Sequence, residues 1–454
     1  MSATPLQGGS SSPFQQVAAT AGLLFLFLVI SRTPDFIGVS GVALVVGLAA
    51  LTAVALSGGA ASALTSKAGL FLSAFTVWLC VCLLFSVWKG GSFHLLKETW
   101  SRSVLAFVIV GGSLFTITQL RKAMYTSAAA AMAILLFAFL FASGASGRLA
   151  FHHGTLANPN DLAAYLLLTV PFCLFVFLES KKVIVKIAMV LVTLMLLGMT
   201  LRTGSRSGLV NIGVLGIYLF FQASVPKKFL MLIASLILMI ASPLYLPDSV
   251  LMRFRTMVSD ETPVNSGAEE AQDRQGDFAA NSTESRSYLI RKSIEVTLSN
   301  PLFGVGPGMF AVAASDIAKE EGDRAMWQQT HNTYTQVSSE TGVPGLMIYL
   351  GLIFAIFRAT RLPPQWRRMP ADPDIQLLNN VALSLRLALI SFCGGAMFGS
   401  LAYGMQLPLL AALAETLRRV IVSKTIQLRT PVPAWAPRAM AEPVLRWAAP
   451  RMKA

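Results

Sequence analysis

Against an apolar background, a few polar residues have types and spacings that could do chemistry. His331 and Asn332 open the stretch HNTYTQVSSETGVPG, and Tyr334 follows two positions later. Arg202 and Arg206 bracket Thr203-Gly204-Ser205, and Arg286 lies in a long polar stretch. His152-His153-Gly154 precedes Asn158-Pro159-Asn160. An imidazole, with an ordinary pKa of about 6.5, can take a proton from an attacking hydroxyl near neutral pH. A guanidinium stays charged, and its planar fork donates two parallel hydrogen bonds to phosphate. Both also have plainer uses: an arginine at a span end snorkels to headgroups, and a histidine at a helix start caps the helix.

Other chemistries are poorly served. Adjacent His152 and His153 cannot both face one ion from a helix, and no carboxylate or cysteine stands at ligand spacing, so the sequence offers no metal site. Gly304-Val305-Gly306-Pro307-Gly308 follows no strand and is interrupted by Pro307, which makes it a turn rather than a nucleotide fingerprint. Cys80, Cys82, Cys173 and Cys393 sit in apolar runs and read as packing residues. No cofactor is implied.

The elements that must position these residues are membrane helices. Of 454 residues, 54% are hydrophobic and 13% charged, against about 25% charged in a soluble domain, and the mean hydropathy is +0.63. Since a spanning helix needs about 20 mostly apolar residues, twelve segments qualify: 14–31, 36–57, 69–88, 103–119, 126–142, 161–178, 183–200, 207–222, 228–246, 343–359, 379–398 and 402–420. The first lacks a basic leader and a cleavage site, so it is expected to remain as a span. The fold class is therefore an all-α polytopic membrane protein with about twelve transmembrane helices. The net charge of +14 does not point to nucleic acid, because the basic residues lie in short loops and in the C-terminal tail.

With both termini cytoplasmic, twenty basic residues fall inside, among them Lys67, Arg121, Lys181, Lys227 and Arg358, against seven in the short outer loops. The positive-inside rule favours that orientation. The expected organisation is spans 1–9 over 1–246, a large periplasmic loop over 247–341, spans 10–12 over 342–420, and a basic cytoplasmic tail over 421–454. Within the loop, 259–285 has seven acidic residues and almost no apolar content, the composition of a disordered segment. After it, Tyr288, Ile290, Ile294 and Val296 alternate with charges as in an amphipathic helix, so the second half of the loop is expected to fold against the membrane domain. Under this topology His331, Arg202, Arg206, Arg286, Asn158 and Asn160 share the outer face. Arg386, about eight residues into a span, either snorkels or pairs within the bundle.

The stretch from His331 to Gly345 resembles the His-Asn-x-Tyr... Glu-x-Gly-x-x-Gly signature of bacterial O-antigen ligases and related lipid-linked polysaccharide polymerases. Pro301 to Gly308 resembles that family's Pro-x-x-Gly-x-Gly turn, Arg206 and Arg286 match its arginines, and Asn158-Pro159-Asn160 with Leu162-Ala163 resembles its Asn-x-Asn-x-x-Ala segment. The tryptophan that usually follows the loop arginine is replaced here by Ile290. The resemblance covers about residues 150 to 350. It implies an enzyme of the inner membrane that moves a glycan from an undecaprenyl-pyrophosphate carrier to an acceptor hydroxyl on a glycan or lipid A core, by a metal-independent inverting transfer. Arg206 and Arg286, with Arg202 as a third, would then bind the pyrophosphate, and His331 would act as base. Asn158, Asn160, Asn332 and Tyr334 would contact substrate. The alternatives are a transporter or flippase of lipid-linked glycan and a protein O-glycosyltransferase.

His331 is expected to begin a helix, whose positive end disfavours imidazolium. Counting from His331 puts Tyr334 and Ser338 on its face and Glu340 on the opposite one, which makes Glu340 structural.

Overall fold

The computed structural model describes residues 13–38, 40–143, 148–152, 154, 156–255, 286–320, 327–369 and 372–429. The segment 259–285, His153 and the tail beyond 429 lie outside the described residues. The fold is that of an all-helical polytopic membrane protein, and the sole β pairing among the described residues is a bridge between Ser143 and Ala150.

The main helices in chain order are α1 (Pro13–Ser31), α2 (Ser40–Leu56), α3 (Lys67–Leu84), α4 (Ser101–Ser113), α5 (Ile117–Phe141), α6 (Pro159–Glu179) and α7 (Val183–Arg202). They continue with α8 (Arg206–Gln222), α9 (Val225–Tyr245), α10 (286–299), α11 (Phe310–Glu320), α12 (Thr333–Ala359), α13 (Pro373–Ala396) and α14 (Gln406–Arg429). Among the described residues, seven helices are long and apolar enough to cross a bilayer: α1, α3, α5, α6, α7, α12 and α13. Of the remaining apolar segments, α2, α4 and α8 are shorter, with 13–17 residues, and α14 is more charged. The amphipathic stretch after 285 forms α10.

Local chemistry sets the helix starts. Thr116 and Gln119 make a reciprocal capping box on α5, with Gln119 N donating to Thr116 Oγ1 at 3.2 Å and Thr116 N to Gln119 Oε1 at 3.1 Å. Asn158 caps α6 by accepting from Asn160 N at 2.8 Å, and Pro159 fills the first helical position, where no N–H is needed. In the bundle core the rings of Phe75, Trp100, Tyr349 and Tyr403 pack through edge-on and tilted contacts at 5.4–6.4 Å. Cys82 and Cys173 are buried as expected of packing thiols, whereas Cys80 is exposed on the surface of α3.

One sequence expectation needs correction. Hydropathy joins α13 and α14 through three residues, whereas α13 ends at Ala396 and α14 begins at Gln406. A nine-residue connector, 397–405, separates them. Leu401, Ala402 and Met405 within it pack on the core while its backbone turns back on the bundle end. Of the two readings of Arg386, the structure shows pairing within the bundle: its guanidinium donates to Thr360 Oγ1 at 3.1 Å and to the Thr360 carbonyl, closing the last turn of α12.

Candidate active site

The site end is built on a broken helix. α12 runs 27 residues but is kinked at Gly342, which takes φ +72°. Pro344 has no N–H to give Glu340, and Val343 N donates to Pro301 O at 2.8 Å instead of to Ser339. The two released carbonyls are met by the glycine-rich turn, with Val305 N on Ser339 O at 2.9 Å and Gly306 N on Glu340 O at 3.0 Å. A third, Thr341 O, accepts from Trp78 Nε1 at 2.8 Å. Glycine is required on both sides of this interlock. A Cβ on Gly304 (φ +63°) would lie 2.3 Å from the Glu340 backbone carbon, and one on Gly342 would lie 2.1 Å from Leu302 O.

Glu340 is fully buried and serves the same joint. Its Oε2 accepts from Gly308 N at 2.8 Å and from the Tyr403 hydroxyl at 2.6 Å. Its structural role therefore comes from this joint and not from its position on a helical wheel.

The helix begins later than the sequence suggests. Asn332, in extended conformation, is the N-cap: its Oδ1 accepts from Tyr334 N at 2.9 Å and Thr335 N at 3.1 Å, and its Nδ2 donates to Met397 O at 3.1 Å. His331 precedes the cap and adopts φ +52°, a left-handed conformation that costs a non-glycine residue roughly 1–2 kcal/mol. That geometry is held by the 397–405 connector. Ser400 Oγ accepts from His331 N at 3.1 Å, while buried Thr333 donates from Oγ1 to Gly399 O at 2.7 Å and accepts from Leu401 N at 2.9 Å.

Because His331 stands outside the helix, the shared face with Tyr334 and Ser338 does not exist. Tyr334 turns its hydroxyl to Cys393 O at 3.1 Å, and Ser338 pairs with Thr297 Oγ1 at 2.9 Å.

Around His331 the structure gathers charges from separate elements. Arg206 is the first residue of α8 behind the N-cap Ser205, and Arg286 is the first described residue of α10. Both side chains are half-buried, as is His331. The pKa of Arg286 is lowered, first by burial and then by the Arg206 charge, and the opposing pull of Asp161 is weaker than that repulsion. The His331 pKa is lowered from its ordinary 6.5, first by burial and then by Arg286. The imidazole is thus kept neutral and able to accept a proton. Two guanidinium groups that feel each other's charge make a setting that favours a bound anion.

Other expected site residues are placed differently. Arg202 lies over the Tyr245 ring at 5.8 Å, on the far side of the 203–205 turn. Asn158 is a helix cap. Asn160 is a tie, since its Oδ1 accepts from Ser205 Oγ at 2.9 Å and from Arg148 Nη2 at 3.2 Å, while Arg148 Nε donates to Thr203 O at 2.9 Å. This tie fixes the turn that presents Arg206. Asp161 went unremarked in the sequence because an acidic residue in the first turn of a capped helix reads as a dipole partner. Its Oδ1 lies 3.6 Å from where a Gly399 Cβ would stand, which brings α6 up against the connector that holds His331.

No curated protein matches the chain. Residues 190–350 match the family model described as O-Antigen ligase, an interval that contains Arg202, Arg206, Arg286, His331 and the interlocked turn. Over residues 190–350 the chain therefore carries an O-antigen ligase family domain.

Proposed function

We propose that this protein transfers a glycan from an undecaprenyl-pyrophosphate carrier to a hydroxyl of a glycan or lipid A core acceptor at the outer face of the bacterial inner membrane. The observation that carries the reading is the meeting of Arg206, Arg286 and a neutral-leaning His331 at one end of the bundle. In the reaction, the acceptor hydroxyl gives its proton to the His331 imidazole as its oxygen attacks the anomeric carbon. The bond from that carbon to the pyrophosphate oxygen breaks, and its electron pair leaves on the pyrophosphate. Arg206 and Arg286 meet the growing negative charge, which is the point at which electrostatic stabilisation acts most strongly. Attack opposite the leaving group inverts the anomeric centre, and the step needs no metal ion. The Asp161 charge at the start of α6 favours the charged form of Arg286.

The proposed topology has twelve spans, both termini cytoplasmic and 247–341 outside, which sets the arginines at the leaflet where the carrier presents its glycan. The concentration of Lys and Arg on the other side supports it. A deletion strain tests the function through its surface glycan. Accumulated lipid-linked polymer identifies a ligase, loss of long chains with single repeats retained identifies a polymerase, and an unchanged glycan refutes the proposal.

A further inference from the structure

At the end of the bundle away from His331, α3, α12 and α14 leave a groove of about 730 Å³, within the roughly 300–1,000 Å³ of small-molecule sites. Its walls are Leu70, Phe71 and Ala74 of α3 and Phe354 of α12, all exposed. The Phe71 ring lies over Gly351, whose added Cβ would sit 2.4 Å from it, and this contact closes the groove toward the middle of the bundle. Lys67, Arg358 and Arg418 line the remainder.

The charge there is unbalanced. Glu415 is 1% exposed, and its carboxylate is committed to Ala68 N at 2.9 Å and to Arg418 Nε. Among the described residues no carboxylate pairs with Lys67 or Arg358, whose guanidinium rests only on the Phe354 ring at 6.0 Å.

We infer that this groove binds one anionic phospholipid, with an acyl chain along Leu70, Phe71 and Phe354 and the phosphate at Lys67 and Arg358. The position suits such a ligand: α12 runs from the candidate active site to its last turn at Arg358, so the cations lie where the opposite headgroup layer begins. A free phosphate would leave the apolar wall unused, and a zwitterionic lipid would leave the cations uncompensated.

Native mass spectrometry of the full-length protein in neutral detergent tests the assignment, with phosphatidylglycerol and phosphatidylcholine added separately. The parent should retain one phosphatidylglycerol and shed phosphatidylcholine. Each basic residue near a membrane surface contributes about 5-fold to anionic-lipid binding, so Lys67→Ala with Arg358→Ala should weaken retention about 30-fold. Ala74→Phe keeps both charges and fills the groove, and should also abolish retention while the protein stays monodisperse and active. Equal retention of both lipids would overturn the assignment, as would undiminished phosphatidylglycerol binding in either variant. So would full displacement by inorganic phosphate, or a lipid-free dimer, which would give the groove to a second copy of the chain.

Discussion

Thr333→Val removes one hydroxyl from a fully buried site and changes its shape little. That hydroxyl bonds the connector twice, to Gly399 O at 2.7 Å and from Leu401 N at 2.9 Å. Leaving a buried donor or acceptor unpaired costs about 1–3 kcal/mol each, so the variant should lose about 2–6 kcal/mol of local stability. The connector also supplies Ser400, which fixes the left-handed His331 backbone, so loosening it should displace the imidazole. A misplacement of about 1 Å can cost on the order of 10²-fold in rate. Purified Thr333→Val should therefore melt earlier and turn over about 10²-fold more slowly on a defined lipid-linked donor. Thr333→Ser, which keeps both bonds, should recover most of the turnover. Parent-like melting and turnover in the valine variant would refute the reasoning, and a serine variant as impaired as valine would shift the cause to methyl packing.

Arg206→Lys and Arg286→Lys should each weaken donor binding, because lysine keeps the charge but loses the fork; parent-like binding by both variants in a donor titration would remove the bidentate contact. Because burial and Arg286 lower the His331 pKa, the neutral base persists to a more acidic pH than a free imidazole would allow. The acid limb of kcat/KM should accordingly lie below pH 6.5, with activity falling as pH drops through it, and a limb above 6.5 would contradict the placement beside Arg286. Gly342→Ala, strained at φ +72° and pressed on Leu302 O, should lose folded yield, as gel filtration of the extracted protein would show. Removing the caps that Arg386 puts on Thr360 with Arg386→Leu should lower the melting temperature while leaving turnover per folded molecule unchanged.

The helices are legible because twenty-residue apolar runs have few other uses, and the arginines and the histidine stand out as candidates because charge is costly and conspicuous in an apolar chain. The 397–405 connector was not legible. Leu401, Ala402 and Met405 continue the hydropathy of the flanking helices, and only the return of their backbone onto Thr333 and His331 separates them. The position of His331 is obscured for a related reason: the helical pattern extends through it, but Asn332 offers its side chain to two backbone N–H groups and begins the helix there. Asn158 and Asn160 were seen as polar residues on the right face, but sequence cannot separate a cap or a tie from a substrate contact. Their bonds to backbone and to Arg148 show what they do in the fold. Asp161 is hidden because its electrostatic pull on Arg286 acts between residues 125 positions apart, which no local pattern records.

The central claim is that His331 is the base and the arginines hold the donor. Its most direct test is single-turnover transfer by purified His331→Ala with a defined lipid-linked donor, with donor affinity measured on the same preparation. A positioned base is worth about 10² to 10⁴ in rate, so transfer should fall by that order while donor affinity stays within a few-fold of the parent. Transfer within a few-fold of the parent, in a variant that binds donor normally, would contradict the account and leave His331 a structural residue before the cap of α12.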